Sequence, residues 1–195
     1  MTVSDSILEA AVERIRDGGL VIYPTETVYG LGANALDARA VERVFEVKGR
    51  SRSKPVSLAV ATVAAIDEYA RLTPRERAFC DRFLPGPVTV LLERRDVVPD
   101  VLVAGRDRVG VRVPDHDVAR ELARRAGPIT ATSANRSGQP SARRVEEIAP
   151  AVREAALVVD GGQTAGTEST VVDVSAAEVV RRGAQADAIE AWLDA

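Results

Sequence analysis

The sequence contains only one cysteine, Cys80, and one histidine, His116. These two residues cannot build a disulfide framework or a zinc site of His and Cys ligands. No stretch approaches the roughly 18 consecutive apolar residues that a membrane-spanning helix needs. Residues 1–6 lack the basic and apolar regions of a signal peptide. These absences exclude disulfide-rich secreted proteins and membrane-spanning proteins, and we expect a cytoplasmic protein.

Lysine is also scarce. Among the 26 lysines and arginines, only Lys48 and Lys54 are lysines, and both lie in residues 48–54. The 29 acidic residues give the chain a formal net charge of -3. This mild acidity argues against a protein that holds nucleic acid by its overall charge, but it permits a locally basic groove.

The 195 residues suit one domain, which we predict to span residues 1–195. Helix and strand patterns alternate along the chain. We predict helices through residues 7–15, 41–45, 62–70, 73–84, 115–126, 144–149 and 189–192, and strands at 20–23, 56–61, 88–92, 109–113, 129–132, 157–159, 171–174 and 179–180. Residues 25–34 and 94–108 are predicted to be irregular. This alternation predicts a single α/β domain in which helices flank a mixed sheet.

A short cationic loop follows the second predicted helix. Lys48, Arg50, Arg52 and Lys54 place four positive charges in seven residues, with serines between them. Ammonium groups, guanidinium groups and small hydroxyls together suit the oxygens of a triphosphate. The same pattern also fits a solvated surface loop, so the residues alone leave both interpretations open.

Polar residues gather where other predicted strands end, which is where open α/β sheets place ligands. Residues 133–141 are rich in hydroxyl and amide groups, Arg112 lies among valines, and Arg181 closes a strand. A strand arginine is either an edge residue that faces water or a buried anion clamp. Ser, Asn and Gly also form ordinary turns. Several signals of this kind together predict a cleft for an anionic ligand.

Five motifs occur in order along the chain: Tyr23-Pro-Thr-Glu-Thr-Val-Tyr-Gly-Leu-Gly32, Lys48-Gly-Arg50, Pro85-Gly-Pro-Val-Thr89, Ser133-Ala-Asn135 and Glu168-Ser-Thr-Val-Val-Asp173. Single motifs such as Ser-x-Asn are unspecific, but the ordered set with this spacing is highly specific. Over about residues 20–183 the chain strongly resembles the threonylcarbamoyl-AMP synthase family, the YrdC-like domain. We expect the short single-domain form, without the additional C-terminal domain of longer members.

The resemblance implies a fold, a reaction and partners. The fold is a twisted, mixed α/β sheet around a concave positive cavity. The reaction is that of a nucleotidyltransferase, which joins L-threonine, bicarbonate or CO2, and ATP into threonylcarbamoyl-adenylate and releases pyrophosphate. Mg²⁺ is expected with the ATP, and no protein ligand for a metal is identifiable from the sequence. The product feeds the threonylcarbamoyladenosine modification of tRNA through a separate transferase complex, and direct contact with tRNA or double-stranded RNA is a further expectation.

The resemblance also assigns residues to these ligands. Lys48 and Arg50 take the catalytic role through charge and positioning, because a carbamate that attacks ATP directly needs no enzyme nucleophile. The residues that face ATP are Arg50, Lys54, Arg108, Ser133, Asn135, Ser141 and Arg181. The residues that face L-threonine are Thr27, Arg112, Ala131 and Ser169. Ala59 stands where some relatives have a histidine that contacts substrate, and Ser51, Lys54 and Arg182 also depart from common family residues.

Two other interpretations stay open. A non-enzymatic RNA-binding relative would use the same positive cavity for tRNA or double-stranded RNA. The joint presence of the threonine-facing and ATP-facing residues favours the enzyme, because binding an RNA backbone needs no threonine pocket. A carbamoyl-transfer module of hydrogenase-maturation proteins is disfavoured, because no acylphosphatase or zinc-finger segment accompanies the domain.

Overall fold

The computed structural model describes residues 3–195. Its helices are α1 Asp5–Arg16, α2 Ala38–Lys48, α3 Pro74–Phe83, α4 Asp100–Val103, α5 Asp117–Ala126, α6 Pro150–Glu154 and α7 Ala186–Leu193, with 3₁₀ turns at Ala64–Glu68 and Val145–Glu147. Its strands are β1 Leu20–Tyr23, β2 Gly30–Gly32, β3 Ser57–Ala59, β4 Ala70–Arg71, β5 Val88–Arg94, β6 Arg108–Arg112, β7 Ile129–Ser133, β8 Ala156–Val158, β9 Thr170–Asp173 and β10 Glu178–Arg181. Helices and strands alternate as the sequence predicts.

Local sequence fixes where several helices begin and end. At α3 the hydroxyl of Thr73 accepts a hydrogen bond from the Glu76 N–H, and the Glu76 carboxylate accepts one from the Thr73 N–H. This reciprocal capping box satisfies two backbone donors that the first turn would otherwise leave free. At the end of α2, Gly49 adopts the left-handed conformation (φ 58°) that glycine reaches without steric cost. Gly49 therefore turns the chain directly between Lys48 and Arg50.

The strands form one mixed sheet in the order β10-β9-β5-β6-β3-β7-β2-β1-β8, with β4 pairing on β5. The pairs β1–β8, β3–β6 and β5–β9 are parallel, and the others are antiparallel. The prediction of a single α/β domain with a mixed sheet and flanking helices is confirmed. Strands from both halves of the sequence thus lie next to each other at the centre of the sheet.

Strand β2 lies in residues 25–34, which the sequence analysis predicted to be irregular. Two of its three residues, Gly30 and Gly32, lie against the ring of Tyr23. A Cβ at either glycine would come within 2.8 or 2.9 Å of that ring. Strand prediction rests on alternating apolar and polar side chains, and glycines carry no side chain that could show the alternation.

Three other predicted segments differ from the structure. Residues 94–108, predicted to be irregular, contain the short helix α4. Residues 62–70, predicted to be a helix, form a 3₁₀ turn that leads into β4. The helix predicted at 144–149 is a 3₁₀ turn, and α6 starts only at Pro150, because proline suits the first helical position and cannot donate within a helix that began earlier.

Buried apolar residues support the sheet from several helices. Helices α1 and α5 pack on each other through a cluster that includes Leu8, Val12 and Leu122. Below the central strands, Phe79 of α3 meets Trp192 of α7 edge to face, with ring centroids 5.1 Å apart. Across residues 3–195, none of the helices combines the length and the apolar character that crossing a membrane requires.

Candidate functional site

A cavity of about 290 Å³ lies where the central strands end. Strands β1 to β3, β5 to β7, β9 and β10 each contribute lining residues. The charged side chains in this lining are those of Arg50, Arg106, Arg112, Arg181 and Glu168. Four guanidinium groups against one carboxylate make the lining positive, although the whole chain carries -3. The expected concave positive cavity is therefore present.

Arg112, at the end of β6, is a buried cation in the cavity wall. Its side chain is only 10% exposed, and one of its terminal nitrogens lies 2.7 Å from a carboxylate oxygen of Glu26. The same nitrogen donates a hydrogen bond to the hydroxyl of Thr27 at 3.0 Å. Within residues 3–195, the Nε of Arg112 is buried without a hydrogen-bond partner. An arginine that is held in place and lines a cavity is suited to bind an anionic group.

The turn at residues 25–28 fixes the position of Thr27. The hydroxyl of Thr25 accepts a hydrogen bond from the Thr27 N–H at 3.1 Å and donates to the carbonyl of Val28 at 2.7 Å. The hydroxyls of Thr25 and Thr27 are 2.8 Å apart. This local bonding is typical of threonine-rich turns, and it holds the Thr27 hydroxyl against Arg112.

Glu26 was not singled out by the sequence analysis, although it lies inside the Thr-Glu-Thr motif. Both of its carboxylate oxygens are buried, and one of them lies 2.7 Å from Arg112. The Nδ1 of His116 is also buried without a partner. Burial lowers the pKa of His116, while the negative charge of Glu26 opposes that shift. Glu26 is therefore the counterion of Arg112 within the wall, although it does not line the cavity.

Strands β5, β9 and β10 bring a second set of polar groups to the cavity. The hydroxyls of Thr89 and Ser169 are 3.3 Å apart. Arg181 donates to the Ser169 carbonyl at 2.8 Å and to its hydroxyl at 3.0 Å. Glu168 lies 3.2 Å from Arg181 and accepts a 2.5 Å hydrogen bond from the hydroxyl of Ser141. These contacts connect the loop after β7 to the hairpin of β9 and β10.

Lys48 is buried, with only 2% of the residue exposed. Its ammonium group donates to the carbonyl of Ser133 and, at 2.7 Å, to the carbonyl of Asn135. Burial lowers the pKa of Lys48 from 10.5 to about 8, the positive charge of Arg50 lowers it further, and the carboxylate of Glu168 opposes both effects. Lys48 thus holds the backbone of the Ser133–Asn135 loop from behind the cavity wall, and it does not line the cavity itself.

Arg50 lines the cavity from the loop after α2. Its Nε donates to the carbonyl of Lys54 at 3.0 Å and one Nη donates to the carbonyl of Pro55 at 2.8 Å. Burial lowers the pKa of Arg50, and the charge of Arg181 adds to that effect. These two backbone contacts fix the guanidinium group in a half-buried position within reach of a ligand.

The cavity brings together about half of the predicted site residues. Those in its lining are Thr27, Arg50, Arg112, Ala131, Ser133, Ser169 and Arg181. Those outside the lining are Lys48, Lys54, Arg108, Asn135 and Ser141. Arg106, which the sequence analysis did not select, lines the cavity. Arg108 instead lies 3.1 Å from Asp173 and 3.6 Å from Glu76.

No group of three or more His, Cys, Asp or Glu side chains in residues 3–195 could hold a metal ion. Cys80 lies in the apolar core, where burial raises its pKa to about 12. The guanidinium and hydroxyl groups of the cavity lining are suited to bind anions.

Comparisons with known proteins agree with this geometry. A family model for Sua5, YciO and YrdC, described as "Telomere recombination", matches residues 13–183. A Pyrococcus abyssi protein named threonylcarbamoyl-AMP synthase is 44% identical over 165 residues, which are 83% of this chain and 48% of that protein. A Chromobacterium violaceum protein with the same name is 35% identical over 176 residues, which are 89% of this chain and 91% of that protein. The chain thus spans about half the length of the first relative and most of the second.

A solved structure is also similar. The crystal structure of P. abyssi Sua5 complexed with L-threonine superposes with a TM-score of 0.86 and is 40% identical in sequence. The superposition covers 94% of this chain and 56% of that chain. The similarity therefore covers most of this chain and about half of a longer protein.

Proposed function

The chain belongs to the Sua5/YciO/YrdC family of threonylcarbamoyl-AMP synthases, and on that premise we propose that it joins L-threonine, bicarbonate or CO2, and ATP into threonylcarbamoyl-adenylate. Pyrophosphate is the second product. The observation that carries this proposal is one cavity whose lining includes four arginines, Arg50, Arg106, Arg112 and Arg181, together with threonine and serine hydroxyls. Such a cavity offers cations both to the carboxylate of an amino acid and to the phosphates of a nucleotide.

L-Threonine binds at Arg112 in this proposal. Its carboxylate pairs with the guanidinium group of Arg112, beside the hydroxyls of Thr27 and Ser169 and the backbone at Ala131. The similar P. abyssi protein was crystallised with L-threonine. Because Arg112 is already held by Glu26, its orientation is fixed before the substrate arrives.

ATP binds in the same cavity, between Arg50, Ser133 and Arg181. Guanidinium groups bind phosphate oxygens with two parallel hydrogen bonds, which gives both charge and orientation. Lys48 and Asn135 act from behind the wall, where Lys48 holds the loop that presents Ser133. Lys54 and Arg108 stay predictions, because their side chains do not line the cavity.

The reaction proceeds between the substrates themselves. The neutral amine of threonine attacks CO2, forms the nitrogen–carbon bond of a carbamate and loses one proton to water. A carbamate oxygen then attacks the α-phosphorus of ATP, the bond between that phosphorus and the bridging oxygen breaks, and pyrophosphate leaves with the electron pair. The cavity's cations stabilise the charge that develops at the phosphates, and each such contact is worth about 3 kcal/mol of barrier.

Bound with ATP, Mg²⁺ would neutralise part of the triphosphate charge. Mg²⁺ commonly takes one or two protein carboxylates together with phosphate oxygens. Glu168 is the single carboxylate in the cavity lining, so the donor set fits a metal that is held mainly by the nucleotide.

The product, an activated threonylcarbamoyl group, would be consumed by a separate transferase that modifies tRNA in the cytoplasm. Direct contact with tRNA or double-stranded RNA stays a prediction. The buried network of Glu26, Thr27 and Arg112 favours the enzyme over the RNA-binding interpretation, because an RNA backbone does not reach so deep into the wall.

Pyrophosphate release tests the proposal. The purified protein should release pyrophosphate from ATP only when L-threonine and bicarbonate are both present. An Arg50→Ala variant should lose about 100-fold in kcat/KM, whereas Arg153→Ala, outside the cavity lining, should match the unmodified protein. Release that does not depend on threonine, or equal losses in the two variants, would contradict the proposed function.

A further inference from the structure

Among residues 3–195, Glu168 is the only acidic residue in the lining of the cavity. It lies just before β9, and its side chain is 45% exposed. All the other charged lining residues are arginines. The negative charge of Glu168 therefore opposes the binding of an anionic ligand in this cavity.

The contacts of Glu168 show what it does in the free protein. One of its oxygens lies 3.2 Å from Arg181, and the other accepts a 2.5 Å hydrogen bond from Ser141. Its charge also reaches Lys48, whose pKa it raises against the lowering effect of burial. Arg181 lines the cavity and is assigned to ATP, and Ser141, which the resemblance also assigns to ATP, lies outside the lining. In the free protein, therefore, a carboxylate occupies donors that phosphate oxygens would use.

A triphosphate that binds to these donors has to take them from Glu168. The released carboxylate then remains next to the triphosphate, and two negative groups so close together repel each other. A divalent cation would offset that repulsion, because carboxylate and phosphate oxygens can both be ligands of Mg²⁺. Glu168 thus disfavours free ATP and favours the metal complex of ATP.

We propose that Glu168 holds the phosphate-binding donors in the free protein and makes nucleotide binding depend on a divalent cation. This inference rests on the proposed function, since it assumes that ATP binds at Arg181 in this cavity. Glu168 thus selects the Mg²⁺ complex of ATP over metal-free ATP, and no second protein ligand to the metal is required.

Calorimetric titration of ATP tests the inference without turnover, in the absence of threonine. The dissociation constant is measured with excess EDTA and with excess Mg²⁺, for the unmodified protein and for Glu168→Gln. Glu178→Gln is the matched control, because Glu178 is an exposed glutamate on the neighbouring strand β10. Glutamine keeps the size of the side chain and removes its charge.

We expect Glu168→Gln to bind metal-free ATP about two- to fivefold more tightly, which corresponds to the release of a partly exposed ion pair. We also expect Mg²⁺ to improve ATP binding by a smaller factor in this variant than in the unmodified protein. The Glu178→Gln control should behave as the unmodified protein in both conditions.

Three results would overturn the inference in different ways. Unchanged affinity of Glu168→Gln for metal-free ATP would show that Glu168 does not compete with the phosphates. An equal effect of Mg²⁺ in both proteins would show that Glu168 does not respond to the metal. A failure of the unmodified protein to bind ATP in either condition would overturn the proposed function as well, so the two failures are distinguishable.

Discussion

Raising the pH should discharge Lys48 well before an ordinary lysine. The residue is 2% exposed and its pKa is lowered from 10.5 to about 8, mainly by burial. At 1.36 kcal/mol for each pKa unit, the folded protein disfavours the charged form of Lys48 relative to its neutral form by about 3 kcal/mol. The two carbonyls that accept from its ammonium group, those of Ser133 and Asn135, keep the charged form in place despite this penalty.

The sign of the effect on stability follows from the two pKa values. Because the pKa is lower in the folded protein than in the unfolded chain, the unfolded chain binds more protons between pH 8 and 10.5. The contribution of Lys48 to the free energy of unfolding therefore rises with pH in that window. Below pH 8, Lys48 is protonated in both the folded and the unfolded chain, and the cost of burying its charge lowers the free energy of unfolding in full. Lys48→Met should remove this contribution, so that stability rises less steeply with pH above 8 than in the unmodified protein.

The scarcity of lysine makes the measurement simple. Protein labelled with ¹³C-lysine has only two lysine side-chain signals, from Lys48 and Lys54, and Lys54→Arg identifies them. The Lys48 signal should titrate near pH 8 in the folded protein and move to higher pH when ATP is added, since phosphates stabilise its charge. A folded-state midpoint near 10.5 would refute the assigned burial penalty. So would identical pH profiles of stability for Lys48→Met and the unmodified protein.

Two further substitutions test the cavity wall and the core behind it. Glu26→Gln leaves Arg112 buried without a counterion, so the free energy of unfolding should fall by about 3 kcal/mol. The affinity for L-threonine should rise severalfold, because the threonine carboxylate then replaces the missing charge. Thermal unfolding and threonine titration measure both effects, and weaker threonine binding with unchanged ATP binding would contradict the counterion role. Thr130→Val should lower the free energy of unfolding by roughly 2 kcal/mol. The fully buried Thr130 hydroxyl accepts a hydrogen bond from the Ala33 N–H at 3.0 Å and donates one to the Leu31 carbonyl at 2.9 Å, and valine can form neither. An unchanged free energy of unfolding in urea would refute this prediction.

The sequence predicted most of the regular elements because their signals are local. The capping box of Thr73 and Glu76 marks the start of α3, and it forms as the residues indicate. The strand β2 has no such signal, because its glycines are selected by their contact with Tyr23, which comes from a neighbouring strand. A strand whose residues are determined by contact with another strand cannot be recognised from its own residues alone.

The same limit applies to the site. The position of Arg112 among valines left two alternatives open, an edge residue that faces water or a buried anion clamp. Only the fold shows that Arg112 is buried against Glu26. Arg106 and Arg108 are two residues apart, and the sequence does not show which of them reaches the cavity. The structure places Arg106 in the lining, whereas Arg108 is engaged by Asp173. Arg106 precedes β6, in the turn around Gly105, whereas Arg108 is the first residue of the strand. Their directions therefore depend on the path of that turn, which the residue types do not reveal.

The order of strands in the sheet has a consequence for how the protein folds. The contacts that build the cavity connect residues far apart in the chain: Thr27 and Arg112 are separated by 85 residues, and Thr89 and Ser169 by 80. Contacts of long sequence separation form slowly, because a long loop has to be closed before they stabilise the chain. The parallel pairing of β9 with β5 brings Ser169 to the wall only when most of the chain has been ordered. A partly folded chain that has not yet docked β9 and β10 consequently lacks one side of the cavity, and ligand binding during refolding will report completion of the sheet.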